Sequence, residues 1–145
     1  MATGETVRRG MEYDPWQHAE LLGLRVEERR LKSGILGEYR HQQRLILLSP
    51  RMVHRQARST LTHELMHAIA GDVPTPFGFL HAKQERSARI ATARQLVVSD
   101  EYALAEILHG EHLDSIAREL CVDQQVVADW RCIQGARIHA QLESV

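Results

Sequence analysis

Along the chain, short apolar blocks give way after Ser49-Pro50 to apolar residues spaced three and four apart. Before that point, Asp14-Pro15-Trp16 reads as a helix entry, with Asp as N-cap and Pro in the first turn. A short helix follows, with Trp16, Ala19, Leu21 and Leu22 on its buried side, and Gly23 ends it. Three blocks over 24–27, 35–39 and 44–48 have strand character, with Gly34 and Gly37 bracketing the middle one and His41-Gln-Gln43 as a turn before the third. They predict a small antiparallel or mixed sheet. Over 52–70, Val53, Ala57, Leu61, Leu65, Ala68 and Ile69 recur at helical spacing, so a long amphipathic helix is expected, stopped by Gly71. After a loop over 72–79 come helices over 82–98 (burying Ala88, Ile90, Ala91, Gln95 and Leu96), 101–109, 113–120 and 124–137. The fold class is α+β, a small three-stranded sheet packed on a helix-rich body.

Composition narrows the field. A chain of 145 residues with 43% hydrophobic and 26% charged residues can bury a core within one domain. A formal net charge of -1 gives no basic excess with which to coat nucleic acid or an anionic membrane, so direct nucleic-acid binding is not expected. The polar stretch over 1–10 does not resemble a secretory signal, and the longest aliphatic run, Leu45 to Leu48, is too short for a bilayer span. A cytoplasmic location is therefore expected. Two cysteines, Cys121 and Cys132, are too few for a disulfide framework or a thiolate zinc site. Nine histidines direct attention to metal binding.

His63-Glu64-Leu65-Met66-His67 lies within the long predicted helix. Two histidines four apart project from one face and can share a metal ion. Glu64 is rotated by about 100° from His63, which keeps its carboxylate beside the metal rather than on it. That is where a general base must sit to take a proton from a water made acidic by the metal. A catalytic zinc site needs a third protein ligand, and Asp72, His81 and Glu85 are candidates. The position six residues beyond His67 is Val73, which cannot ligate. Glu85 opens a second helix after a loop long enough to fold it back across the first, and His81 is the runner-up.

Arg58-Ser-Thr-Leu-Thr-His63-Glu-Leu-Met-His67 resembles the core motif of the ImmA/IrrE metallopeptidases, usually Arg-Phe-Thr-Leu-Ala-His-Glu-Leu-Gly-His. The stretch from Glu85 to Val97 is similar to that family's second motif, and Arg44 to Pro50 to the strand leading into the motif helix. The likeness runs over about 13–137 and is strongest to short members from phage and actinobacterial genomes. It implies a zincin-like core in which His63, His67 and Glu85 hold zinc and Glu64 is the base. It also implies a protein substrate, a helix-turn-helix transcriptional repressor whose cleavage releases silenced genes. The whole chain, 1–145, would then be one metallopeptidase domain: a flexible tail over 1–12, a catalytic core over 13–108 and a C-terminal helical cap over 109–145. Two positions depart from the pattern. Arg89 stands where an Asp or Asn is usual, which leaves another acceptor, Thr92 or Asp72, to orient a ligand histidine. Met66 replaces the usual Gly.

Tyr39, His41 and His81 are candidates for stabilising the oxyanion. The strand over 35–39 could seat an extended peptide along its edge, and Phe77 and Phe79 could rim a side-chain pocket or anchor the loop. The stretch from Leu113 to Trp130 has helix-turn-helix spacing, with Ile116, Ala117 and Leu120 packing on Val122, Val126, Val127 and Trp130 and Asp123 capping the second helix. From Glu111 to Gly135, however, five acidic residues face two arginines, so a structural cap or protein-docking surface is favoured over a DNA reader. The rival to an enzyme is a regulatory module that binds a repressor or DNA, with zinc structural or lost.

Overall fold

The computed structural model describes residues 13–144; the tail expected over 1–12 lies outside the described residues. Helix α1 (Pro15–Leu21) starts where the Asp14 carboxylate accepts the amides of Trp16 and Gln17, as its sequence predicts. Ala19 is buried, but Leu21 is 79% exposed and Leu22 also meets solvent. In so short a helix Leu21 lies about 200° around from Ala19, so the two cannot share a buried face.

The sheet is mixed, in the order β1-β3-β2. Strand β3 (Leu45–Leu48) occupies the centre, parallel to β1 (Arg25–Glu28) and antiparallel to β2 (Gly37–Arg40). All four residues of β3 are buried, because helices cover it and strands flank it on both sides. Its unbroken Leu-Ile-Leu-Leu is the pattern that such a doubly covered strand requires. β2 is an edge strand and packs against the motif helix.

That helix, α2 (His54–Ala70), ends at Gly71, whose φ of 72° is the left-handed stop expected of it. Its burial departs from the apolar pattern. Leu61 and Leu65 are fully buried, yet Val53 is 62% exposed and Ile69 is also exposed, while Arg58, Ser59, Thr62, Glu64 and His67 are buried. The helix is enclosed by the sheet on one side and by later helices on others, so polar residues share its interior surface.

Helix α3 (Gly78–Leu96) begins four residues before the predicted start at 82. It buries Ala88, Thr92, Ala93 and Leu96, whereas Gln95, expected inside, is exposed. The reason is a change of core along its length. Ala88 belongs to a first core with Ala19, Leu24, Ile46, Leu48, Leu61, Leu65 and Met66. Ala93, Leu96 and Val97 belong to a second, with Ile116, Val122, Val127 and Trp130 among others. The buried stripe therefore rotates as the helix passes from one to the other, and Gln95 is left outside.

Helices α4 (Ser99–His109), α5 (Leu113–Glu119) and α6 (Gln124–Glu143) complete the described residues, and α6 runs six residues beyond its predicted end at 137. The helix-turn-helix packing holds, since Ile116, Ala117, Leu120, Val122, Val126, Val127 and Trp130 all lie in the second core. Asp123 occupies the N-cap of α6 but makes no side-chain cap bond; its amide instead donates to Ser59 Oγ of α2 (2.9 Å). Arg58 of α2 donates to the carbonyls of Tyr13 and Cys121, and Arg55 to Val122 O and Asp114. One face of the motif helix is thus fastened to the turn between α5 and α6. No helix among the described residues is long and apolar enough to cross a membrane.

Candidate metal centre

Helical spacing puts His63 and His67 on one face of α2, with ring centroids 4.7 Å apart. Glu85 of α3 meets them. Its Oε2 lies 3.2 Å from His63 Nε2, its Oε1 lies 2.8 Å from His67 Nε2, and the two Nε2 atoms are 3.1 Å apart. Among the described residues these three form one group whose ligand atoms could hold a metal ion. Ligands at ordinary zinc distances in a tetrahedral site sit about 3.3 Å from one another, so the two Nε2 atoms are close to that spacing and the carboxylate lies within about half an ångström of it. Donor chemistry fits as well, two imidazoles and a carboxylate being a common catalytic zinc set. Burial, then the neighbouring His67, holds His63 below its ordinary pKa and favours the neutral ring that ligation requires.

Of the other third-ligand candidates, Asp72 takes a different place. Gly71 in its left-handed conformation turns the chain back so that Asp72 N–H bonds to His67 O, and the Asp72 carboxylate accepts from His67 Nδ1–H at 2.8 Å. That bond fixes the tautomer and leaves Nε2 directed at Glu85 and His63. Asp72 is therefore the acceptor that the departure at Arg89 leaves to another residue. Thr92 is not, because its hydroxyl is given to Ala88 O of its own helix (2.7 Å). Arg89 turns away to Asp129 of α6, making bonds of 3.1 and 2.5 Å to the two carboxylate oxygens.

Glu64 lies beside the three converging groups and is buried. Burial is the main cause that pushes its carboxyl from 4.5 up to about 7, with Glu85 and Glu38 adding to the rise and His67 and the Tyr39 amide opposing it. The Tyr39 contact comes from close approach of β2 to α2, and Gly37 permits it. A Cβ at Gly37 would stand 2.7 Å from Thr60 Cγ2 and 3.1 Å from Glu64 Cγ. A glycine inside a strand is the sequence signal for such an approach.

The cleft extends to both sides of this group. One part, about 570 Å³, is lined by Gly34 to Gly37, His63, Glu64 and Glu85, and from the C-terminal helices by Asp123, Gln125, Val126 and Asp129. Another, about 280 Å³, lies between β2 and the loop after α2. His81 lines both parts, Tyr39 lines only the smaller, and His41 lines neither while accepting or donating a bond to the Tyr39 hydroxyl at 2.9 Å. Phe77 and Phe79 are exposed at the start of α3, their rings 6.3 Å apart.

A His-Glu-x-x-His helix with a carboxylate converging from the next helix is the architecture of a metallopeptidase. Comparison with known families agrees: the model of peptidase family M78, the IrrE N-terminal-like domain, matches residues 19–129, and the chain belongs to this family. The family foreseen from the motif is thus the one found. No curated protein and no solved structure matches the chain.

Proposed function

We propose that the chain is a zinc-dependent endopeptidase in which His63, His67 and Glu85 hold the metal and Glu64 is the general base. The observation that carries this reading is the convergence of the two imidazole Nε2 atoms and the two Glu85 carboxylate oxygens, with separations of 2.8 to 3.2 Å, against a buried glutamate. Bound zinc would supply Lewis acidity, lowering the pKa of water in its open position and polarising the scissile carbonyl. Glu64 would accept the proton of the attacking water and deliver it to the departing amine. The amide of Tyr39 holds that carboxylate in place, and its desolvation keeps its proton affinity high. His81, bordering both parts of the cleft, is the best placed donor for the oxyanion. The free edge of β2 offers backbone groups to an extended substrate.

The substrate is a protein, and the likeness to ImmA/IrrE metallopeptidases supports a helix-turn-helix transcriptional repressor, cut in the cytoplasm. The C-terminal helices serve as a structural cap that completes the cleft. The test is Glu64→Gln: peptide cleavage should fall at least about a thousandfold, with folding and zinc content by elemental analysis unchanged. Undiminished cleavage would remove Glu64 from the mechanism, and a wild-type chain that takes up no zinc would end the metallopeptidase reading.

A further inference from the structure

Beyond the Arg89–Asp129 pair, an open groove of about 730 Å³ runs between α3 and the outer half of α6. It shares Glu85, Arg89 and Asp129 with the larger part of the cleft, so it lies beside that cleft with the Arg89–Asp129 pair at their common border. Its floor is apolar, with Ile90 from α3 facing Ile133, Ala136 and Ala140 from α6. The alanines fall three and seven residues after Ile133, on the same stripe of the helix.

Charge around this floor is one-sided. Arg89 and Asp129 neutralise each other, and Glu85 is turned toward the histidines. Arg86, Arg94 and Arg137 also line the groove, and none of the three pairs with an acidic side chain among the described residues. An aliphatic floor under three uncompensated guanidinium groups suits carboxylates set next to aliphatic side chains. A nucleic-acid backbone would gain from the cations but not from the floor.

Resting on the endopeptidase reading, we propose that this groove is a specificity site that holds the substrate polypeptide on one side of the scissile bond and selects a segment where aliphatic residues are flanked by Asp or Glu. Ile90 and Ile133 receive the aliphatic side chains, and Arg86, Arg94 and Arg137 the carboxylates. Its occupant is the substrate, because the groove adjoins the cleft along Glu85, Arg89 and Asp129.

Cys132 lines the groove and is exposed, whereas Cys121 is half-buried, so alkylation of Cys132 by iodoacetamide reports what covers the floor. The experiment uses zinc-loaded full chain carrying Cys121→Ser and Glu64→Gln, so that one thiol reports and no probe is consumed. Two synthetic decapeptides are compared, one alternating Leu with Glu and one alternating Leu with Lys, and each rate is taken relative to peptide-free protein. The acidic peptide should slow alkylation at least fivefold and the basic one should not. Arg94→Glu with Arg137→Glu should abolish or reverse that preference. Equal protection by both peptides, protection by neither, or protection that survives the double reversal would overturn the proposal. So would slowing by protein concentration alone, which would put a second copy of the chain in the groove. Cleavage by the chain with Glu64 restored is scored separately. Selective protection with no peptide cut would count against the endopeptidase reading while the acidic-peptide groove stands.

Discussion

The core beneath the sheet and the core among the C-terminal helices differ in the company their apolar residues keep. The first includes Leu61 and Leu65 of α2, a helix that also buries Arg58, Ser59, Thr62, Glu64 and His67, with Arg58 and Ser59 bonded to the turn between α5 and α6. In the second, the buried set is almost wholly aliphatic with one tryptophan, and Thr92 beside it returns its hydroxyl to its own helix. Stability in the first therefore depends on protonation and hydrogen bonding as well as on burial. Stability in the second comes chiefly from burial, with polar bonds to α2 at the turn between α5 and α6. The three candidate ligands stand on α2 and α3, and the second core contains none of them.

This contrast can be broken most sharply by truncating the aliphatic side. Ile116→Ala should cost about 2–5 kcal/mol of folding stability. The loss should be the same at pH 5 and pH 8 in metal-free protein, measured by denaturant unfolding; a pH-dependent loss would show that the second core is coupled to titrating groups.

Glu64 should behave in the opposite way. Its folded pKa of about 7 lies above the ordinary 4.5, so the folded state binds the extra proton. Its contribution is fully present below about pH 4.5 and is lost as pH rises through 7. In metal-free protein, Glu64→Gln should therefore gain on wild type as pH rises, by up to roughly 3 kcal/mol at pH 8. A gap that stays constant between pH 4.5 and pH 8 would contradict the buried, poorly solvated carboxylate.

A smaller effect is expected one step out from the metal. Asp72→Ala frees the Nδ1 side of His67 and should weaken zinc binding by about 10- to 100-fold in a chelator competition assay. Unchanged affinity would mean that packing alone holds the ring. The smallest effect belongs to the partly exposed link between the regions, where Arg89→Ala should cost less than about 1 kcal/mol in thermal unfolding. A larger loss would make the two cores one unit energetically.

Much of this was legible in the sequence where one element suffices. The spacing of His63, Glu64 and His67, the aliphatic β3 and the stop at Gly71 each follow from a local rule, as does the α+β class from the strand and helix patterning, and the motif carried the family. What escaped depends on elements meeting. Asp72 reaches His67 only because Gly71 reverses the chain, so it could be named as a candidate but not given its part. Asp129, forty residues from Arg89, carries no local sign of that pairing. Gln95 and Leu21 were misplaced because periodicity assumes one continuous buried face, whereas α3 serves two cores and α1 is too short to wrap around one. Gly37 had its signal, a glycine within a strand, but the helix that needs the space lies elsewhere in the chain.

Helix α3 has one further consequence, which is mechanical. Leu96 seats it in the second core and Glu85 meets the histidines eleven residues earlier, an arm of about 16 Å at helical rise. A tilt of about 5° about the seated end would swing the carboxylate by about 1.4 Å, several times the tolerance of about 0.2 Å within which metal-ligand distances must fall. The aliphatic core is in effect a bearing, and the precision of the candidate metal centre would be set by the stiffness of a region that contributes no ligand to it.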